Sequence, residues 1–351
     1  MEIIRFLLLP FSFLYGVIVA IRNFLFDIGV LPSRRHSVPT ISVGNLSVGG
    51  TGKTPMVEYL IELMGRIGNI ATLSRGYGRR SSGFKLAEQG MSVRDLGDEP
   101  FQFFQKYKSV KVAVDANRRR GIKRITKLLP DTRVVLLDDA YQHRYVSPSL
   151  SILLTSYDKL YVDDFVLPSG SLREFKAGSK RADVIVVTRC PELLSPIDRR
   201  MIKQRLSPQP YQLVYFSFME YQPLKKLIGG VKSKFQLNPS TSVLLFTGIA
   251  RPANLFYYVK DRVKHIDHIK FRDHHNFSVM DIHKIIKRFE ALPGKEKIIL
   301  TTEKDAVRLN QAAFAEMLEN FPVLYIPIKL RFQERDVQAF KEKIYDSIGT
   351  N

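Results

Sequence analysis

A glycine-rich run between a β-branched segment and a predicted helix constrains this chain more than any other feature. The run is Val48-Gly49-Gly50-Thr51-Gly52-Lys53-Thr54-Pro55. Glycines let successive backbone N–H groups converge on a polyphosphate, while the lysine reaches the β- and γ-phosphates and the following Thr hydroxyl can ligate Mg²⁺. Ser47 stands where the usual pattern has its first glycine, so the motif is a variant. It predicts a nucleotide-binding loop, with a glycine-rich turn that binds no ligand as the alternative.

Beyond Pro32, short β-rich runs alternate with helical periodicity, which is typical of an α/β fold with a doubly wound, mainly parallel sheet. Early strands are predicted at Thr40–Val43, Ile70–Leu73, Val110–Val114 and Arg133–Leu137. A polar stretch then precedes a second series of strands that begins at Val243. The predicted organisation is therefore an N-terminal helix (1–32), a P-loop domain (33–220), a linker (221–240) and a smaller α/β domain (241–351).

Composition limits the partners and the compartment. The chain has 351 residues and a formal net charge of +20, which favours anionic partners such as a nucleotide, a phospholipid or a phosphorylated substrate. Nucleic acid is not expected as a partner, because no nucleic-acid-binding motif accompanies the charge. Cys190 is the single cysteine, so an intrachain disulfide is excluded and a reducing cytosolic compartment is expected.

The N-terminus is apolar. No charged residue occurs from Phe6 to Ile21, but this stretch contains Pro10 and is shorter than the roughly 20 residues that span a bilayer. We expect a helix in the bilayer interface, with basic residues near lipid headgroups and aromatic rings inserted; a spanning anchor and a buried helix are the alternatives. The basic residues are Arg22, Arg34 and Arg35, and the aromatic ones are Phe11, Phe13, Tyr15, Phe24 and Phe26.

Two carboxylates end one of the predicted strands. Val134-Val135-Leu136-Leu137 leads directly into Asp138 and Asp139, with His143 shortly afterwards. In open α/β sheets, ligands bind beyond the carboxyl ends of strands, and an acidic residue there can sit beside the Mg²⁺ of a P-loop. The alternative is a pair of turn aspartates without a ligand.

Asp98 and a histidine-rich segment could supply acid–base groups. Asp98 precedes Glu99-Pro100, so it could either cap a helix or orient and deprotonate an acceptor hydroxyl. His274, next to Asp273, could be its partner. A zinc site among these histidines is not favoured, because the ligand spacing is poor and cysteines are lacking.

Arginines recur near predicted strand ends, and guanidinium groups suit bidentate phosphate contacts. Each one alone is a solvated surface charge by default, but their shared location at loop ends favours a common anionic site. They are Arg75, Arg118 and Arg173, the last followed by Glu174.

Taken in order, these motifs resemble the tetraacyldisaccharide 4'-kinases, also called lipid A 4'-kinases, over nearly the whole chain. The resemblance also includes Gly97-Asp98-Glu99-Pro100, Asp138-Asp139-Ala140-Tyr141-Gln142-His143 and Thr302-Glu303-Lys304-Asp305-Ala306. Two positions differ from the family pattern: Ala140-Tyr141 stands where Gly followed by Phe or Leu is usual, and Phe175 replaces a frequent proline.

The resemblance implies ATP-dependent phosphorylation of the 4'-hydroxyl of a tetraacylated glucosamine disaccharide 1-phosphate, at the cytoplasmic face of the bacterial inner membrane. Asp98 would be the base, and His274 would tune or orient it once the smaller α/β domain closes over the active site. Arg118 would neutralise the transferred phosphate. Mg²⁺ would be held by Thr54 with Asp138 or Asp139. Further contacts to substrate or nucleotide are expected from Arg75, His143, Arg173 and Glu174. The ATP-binding residues would be Gly49, Gly50, Thr51, Gly52, Lys53, Thr54 and Pro55.

The expected partners are the acylated disaccharide and the anionic inner-membrane surface, without an obligate protein partner. The alternative function is a membrane-cycling P-loop ATPase that acts as a nucleotide-dependent switch. Such a switch would hydrolyse ATP without labelling a lipid.

Overall fold

A computed structural model describes residues 5, 7–228, 235–309 and 312–349. The chain divides into two compact units, one formed by Met1–Met219 with Leu330–Asn351 and the other by Glu220–Lys329. The strands are β1 (Thr40–Asn45), β2 (Ile70–Ser74), β3 (Lys85–Leu86), β4 (Lys111–Val114), β5 (Val134–Asp138), β6 (Leu150–Ser156), β7 (Val184–Thr188), β8 (Leu213–Tyr221), β9 (Lys225–Ile228), β10 (Ser242–Thr247), β11 (His265–Lys270), β12 (Lys297–Thr302), β13 (Val323–Ile326) and β14 (Ile328–Phe332). The helices are α1 (Leu9–Asp27), α2 (Lys53–Met64), α3 (Val93–Leu96), α4 (Asp98–Lys106), α5 (Arg118–Leu128), α6 (Pro196–Leu206), α7 (Ala253–Lys260), α8 (Val279–Glu290), α9 (Glu303–Leu309), α10 (Ala312–Leu318) and α11 (Glu334–Ile348).

The first unit is built on a nine-stranded sheet in the order β14-β8-β7-β6-β1-β5-β2-β4-β3. All neighbours from β8 to β4 in this order run parallel. The chain leaves β1 towards β2 on one side, whereas β6 lies on its other side. The loop after β1 therefore lies at the switch point where open α/β sheets bind their ligands.

Strand burial explains why these segments form a central sheet. Every residue of β1, β2, β5, β6 and β7 is buried, as expected for parallel strands covered on both faces. Helix α2 supplies cover through Met56, Leu60 and Met64, which are spaced to lie on one helical face and are fully buried.

The second unit contains a five-stranded sheet in the order β11-β10-β12-β13-β9. Its first three strand pairs are parallel, and β9 joins β13 antiparallel. Helices α8 and α10 contribute to its core through Ile282, Ile285 and Leu318. The predicted α/β class, with a P-loop-type sheet and a second α/β region, is confirmed.

The predicted domain bounds differ from the two units at two places. Residues 330–351 belong to the first unit rather than the second, because Phe332 and Phe340 pack on Tyr59 and Tyr215. The predicted linker contains strand β9, which pairs with β13 in the sheet of the second unit. Residues 229–234 of that linker lie outside the described residues. Helices α6 and α11 were not among the predicted elements.

Helix α1 is long and apolar enough to cross a membrane, by length and composition alone. Most of it is exposed, but Ser12, Gly16 and Phe26 are buried. The prediction that Phe26 inserts into lipid is therefore wrong: its ring packs edge-on against Tyr145, and the Arg22 guanidinium lies over it. Phe11, Phe13 and Phe24 are exposed, as the interfacial hypothesis requires.

Candidate active site

The glycine-rich loop joins β1 to α2 and has a backbone that only glycine adopts easily. Gly49 and Gly52 have φ angles of 107° and 87°, and a Cβ atom on Gly52 would lie 2.7 Å from the Met219 methyl group. Gly52 is the N-cap of α2, and no side chain caps the first turn. The N–H groups of that turn therefore remain suited to an anion.

Contacts with residues distant in sequence fix the path of this loop. The Val48 N–H donates to Ser171 O at 2.7 Å, and the Thr188 hydroxyl donates to Thr51 O at 2.8 Å. Ser47, the residue that departs from the usual glycine, forms an antiparallel bridge with Leu172. The variant position is thus used to pair the loop with the segment that carries Arg173.

Lys53 lies among polar groups at the ends of β1 and β5. Its Nζ atom is 3.3 Å from Asn45 Oδ1 and 3.5 Å from Asp139 Oδ1, while Arg173 contacts both Asp139 carboxylate oxygens at 3.1 and 3.3 Å. Burial alone would raise the pKa of Asp139, but the charges of Lys53, Arg173 and Arg118 outweigh burial and lower it. Asp139 is therefore held as a carboxylate.

Asp138 occupies the last position of β5, paired in register with Val43 of β1. Burial, followed by the nearby charges of Asp139 and Glu99, raises the pKa of Asp138 to about 7, and Ser74 Oγ donates to it at 3.2 Å. A buried carboxylate of this kind is stabilised in its ionised form by a cation.

The residues predicted to hold magnesium fit that ion. Thr54 lies in the first turn of α2, and it is half-buried. Hard oxygen donors from one carboxylate and one hydroxyl leave room for the phosphate oxygens and waters that Mg²⁺ retains. Asp138 with Thr54 is the better pair, because Asp139 is already engaged by Lys53 and Arg173.

Arg118 is buried next to the main chain of Asp138 and Asp139 and is not at the surface. The side chain is only 2 % exposed, and its guanidinium donates to the main-chain oxygens of Asp115, Ala116, Asp138 and Asp139. Burial lowers its pKa to about 10, which leaves it charged at neutral pH. This arrangement does not support the predicted contact with transferred phosphate; Arg118 instead fixes the Asp138–Asp139 turn.

The other predicted substrate residues occupy different environments. Arg75 is exposed, whereas Glu174 is buried and accepts from Asn23, Gln142 and Arg181. Burial, with the charge of Arg118 next, lowers the pKa of His143 to about 4, so its imidazole is neutral at pH 7. Because Glu174 is buried and bonded to three protein donors, it stabilises the surrounding structure and is not exposed to a ligand.

Asp98 is the first residue of α4, and it does not cap that helix. The N-cap is Gly97, which has a φ of 91°. A Cβ atom added to Gly97 would lie 2.7 Å from Tyr77 O, so only glycine fits at this position. The helix-cap interpretation of Asp98 is wrong. The adjacent Glu99 is close enough for its charge to raise the pKa of Asp138, which places the start of α4 near that carboxylate.

His274 lies in the second unit, with a positive φ of 57°. Its ring nitrogens lie 3.0 Å from Lys304 Nζ and 3.2 Å from Arg308 Nη2, and its backbone N–H donates to Gly248 O. Asp273 accepts from the His274 main chain rather than from the ring. The predicted partnership of His274 with Asp98 stays a prediction, because the two residues belong to different units.

Sequence reasoning did not assign a role to several residues that shape these sites. Asn45, Ser74, Glu99, Lys304 and Arg308 were not proposed, although Asn45 and Ser74 both stand at the carboxyl ends of strands. That position was the available signal. Across residues 5, 7–228, 235–309 and 312–349, no group of three or more His, Cys, Asp or Glu side chains could hold a metal ion.

A glycine-rich loop at the switch point of a parallel sheet, a lysine at its end and a buried carboxylate on the neighbouring strand define a P-loop phosphotransferase. Residues 4–348 match the family model described as tetraacyldisaccharide-1-P 4'-kinase. The chain therefore belongs to this family.

Individual relatives agree with this assignment. The chain is 46% identical to the tetraacyldisaccharide 4'-kinase of Flavobacterium johnsoniae, covering 100% of this chain and 99% of that protein. It is 44% identical to the Bacteroides thetaiotaomicron enzyme of the same name, with 98% and 93% covered. A crystal structure of LpxK from Aquifex aeolicus in complex with ATP matches with a TM-score of 0.74 and 29% identity, over 98% of this chain and 99% of that one.

Proposed function

We propose that this chain, a kinase of that family, transfers the γ-phosphoryl group of ATP to the 4'-hydroxyl of a tetraacylated glucosamine disaccharide 1-phosphate. The observation that carries the proposal is the arrangement of Lys53 and Asp138 around an uncapped helix start. It is the set of groups that a polyphosphate with its metal requires, and the relatives bear the name of this reaction.

Lys53 would change partners when ATP binds. It now contacts Asp139 and Asn45, and a triphosphate on the N–H groups of residues 49–54 offers it stronger anionic partners. Arg173 would then keep the Asp139 carboxylate in place. Mg²⁺ bound by Thr54 and Asp138 would neutralise charge on the β- and γ-phosphates. Gly49, Gly50, Thr51, Gly52 and Pro55 complete the proposed nucleotide site.

Asp98 is the proposed general base. The 4'-hydroxyl oxygen attacks the γ-phosphorus in line, its proton passes to the Asp98 carboxylate, and the bond to the ADP oxygen breaks. Asp98 stands at the start of α4, beside the Glu99 carboxylate whose charge reaches Asp138. This location supports a base close to the transferred group. Arg75 and His143 remain proposed contacts for substrate or nucleotide.

The acceptor is a lipid, so we also propose that the protein works as a peripheral enzyme on the anionic cytoplasmic face of the inner membrane. Helix α1 presents Phe11, Leu14, Ile18 and Phe24 on its exposed side, while Ser12 and Gly16 are buried against the protein. A helix with one face seated on protein suits the bilayer interface better than the bilayer interior. The net charge of +20 favours an anionic lipid surface.

The direct test is an acceptor-dependent kinase assay with [γ-³²P]ATP, Mg²⁺ and a detergent-dispersed acylated glucosamine disaccharide 1-phosphate. We expect a labelled lipid with wild-type protein, near-complete loss with Asp98→Asn and a large but partial loss with His274→Ala. Hydrolysis of ATP without a labelled lipid would support the nucleotide-switch alternative instead. Full turnover by Asp98→Asn would remove the proposed base.

A further inference from the structure

Helix α1 has two different faces, and one of them is seated on the nucleotide-binding unit. A Cβ atom on Gly16 would lie 2.4 Å from the Phe175 ring, so this glycine allows close helix packing. Ser12 Oγ accepts from the Ser169 N–H at 2.8 Å one turn earlier. The residues that face the protein therefore recur at helical spacing and continue to Asn23 and Phe26.

Asn23 reaches a buried carboxylate from this seated face. Its Nδ2 atom donates to Glu174 Oε2 at 2.8 Å across 151 residues of sequence. The other oxygen of Glu174 accepts from Gln142 Nε2 at 3.1 Å and Arg181 Nη2 at 2.9 Å. Because Glu174 is only 1 % exposed, each of these donors compensates for water that the carboxylate has lost.

Gln142 extends these contacts to the nucleotide site. Its Nε2 atom also donates to Asn45 O at 2.8 Å, at the end of β1, and its Oε1 atom accepts from Arg173 Nη1 at 3.3 Å. Asn45 and Arg173 are the residues that contact Lys53 and Asp139. A continuous set of hydrogen bonds and ion pairs thus runs from α1 to the P-loop lysine.

Helix α1 also contacts the main chains of Arg173 and Gln142. The Tyr15 hydroxyl donates to Arg173 O at 3.1 Å, and Arg22 Nη1 lies 3.5 Å from Gln142 O. The main chains of both linking residues are therefore held by α1 as well. Displacing the helix would remove the Tyr15, Arg22 and Asn23 contacts together.

We propose that Asn23 is a positioning residue for phosphoryl transfer: α1 holds Glu174, and through Gln142 and Arg173 it sets the positions of Lys53 and Asp139. The inference rests on the proposed function and adds a second role to a helix otherwise assigned to the membrane.

The test compares Asn23→Asp with Phe24→Ser, a neighbouring change on the exposed face. The first change places a second carboxylate against Glu174, so we expect kcat to fall about tenfold while the KM for lipid and sedimentation with phosphatidylglycerol vesicles stay unchanged. Phe24→Ser should weaken vesicle sedimentation and raise the lipid KM at unchanged kcat. An Asn23→Asp protein that shows the Phe24→Ser pattern, or wild-type kinetics, would overturn the proposal.

A second change separates positioning from general damage. In the double variant Asn23→Asp/Glu174→Gln, the new amide can donate to the new carboxylate at position 23 while its carbonyl oxygen accepts from Gln142 and Arg181, so we expect kcat to recover to within about threefold of wild type. Absence of recovery in a double variant with wild-type Tm would count against the proposal. If Asn23→Asp does not fold, Tyr15→Phe provides the comparison, with an expected loss of about threefold in kcat at unchanged lipid KM.

A fluorescent ATP analogue gives a readout that needs no acceptor. We expect Asn23→Asp to weaken its binding several-fold and Phe24→Ser to leave it unchanged. Wild-type protein that binds the analogue but labels no lipid would refute the proposed function alone, whereas equal analogue affinity in wild type and Asn23→Asp would refute the positioning role alone.

Discussion

Two aspartate-centred ion pairs, one in each unit, use the same residue types in opposite ways. Asp139 contacts Lys53 and Arg173 with side chains that are 31%, 17% and 28% exposed. Asp305 contacts Arg308 at 3.0 Å with side-chain exposures of 0% and 4%. The first pair can exchange partners when a phosphate arrives, whereas the second is sealed from solvent.

The sealed pair also makes further hydrogen bonds. Asp305 accepts from the Gly248 N–H and the Thr302 hydroxyl, and Arg308 contacts a His274 ring nitrogen. A buried ion pair with these additional bonds holds one geometry, because breaking it leaves an uncompensated charge. The comparison teaches that an Asp–cation pair alone does not make a ligand site. The pair must also be accessible to solvent, so that its cation can leave the aspartate for a phosphate.

The largest expected effect is on turnover at the accessible pair. Lys53→Ala should reduce lipid phosphorylation by more than about 10³-fold, because an aligned cation at the transferred phosphoryl group is removed. Lys284→Ala, an exposed lysine of α8, is the matched control and should keep wild-type turnover. Comparable turnover in the two variants would contradict the assignment of Lys53.

At the sealed pair the expected effect is on stability. Asp305→Ala should lower the free energy of unfolding of the second unit by about 3–5 kcal/mol, since Arg308 is left buried without its carboxylate. Asp267→Ala removes a more exposed carboxylate that pairs with Arg288 and should cost less than about 1 kcal/mol. Urea denaturation followed by hydrogen exchange in β10 and β12 measures both; equal losses would refute the distinction between sealed and exposed pairs.

A substitution of Arg173 tests whether turnover depends on the second cation that contacts Asp139. Arg173→Gln should lower kcat by roughly 10- to 100-fold, because Asp139 keeps Lys53 but loses two guanidinium contacts. Arg205→Gln disturbs the exposed pair with Asp163 and serves as the control. A fall in kcat for both variants would show that the effect is not specific to the site.

Asp138→Asn should stabilise the nucleotide-free protein while abolishing turnover. The folded-state pKa of Asp138 is about 7 and its ordinary value is 3.8, so the folded protein binds the extra proton and wild-type stability falls as pH rises from about 4 to 7. The amide variant does not titrate and so lacks this loss. Its advantage in the free energy of unfolding should be absent near pH 4, grow with pH and level off above about pH 7, at no more than about 4 kcal/mol. Calorimetry of both proteins from pH 4 to 8.5 checks the sign; a lower Tm for the variant at pH 8 would contradict it.

The sequence predicted the parts of the fold and site that depend on neighbouring residues. The glycine pattern predicted the loop before Lys53, and the apolar run before Asp138 predicted a buried strand with a carboxylate at its end. The same reasoning assigned Arg118 to phosphate, because a sequence pattern gives the residue type at a loop but not the direction of its side chain. It also assigned 330–351 to the second domain, although this segment packs on the first unit.

By itself, the sequence determined the α/β class, the glycine-rich loop before α2 and the family, because these follow from local periodicity and from motifs in a fixed order. Only the tertiary structure decided that Arg118 supports a turn and that Glu174 joins α1 to Gln142. Burial and hydrogen-bond partners arise between residues far apart in the chain, such as Asn23 and Glu174. Those partners determine whether a charged side chain meets a ligand or is enclosed within the protein.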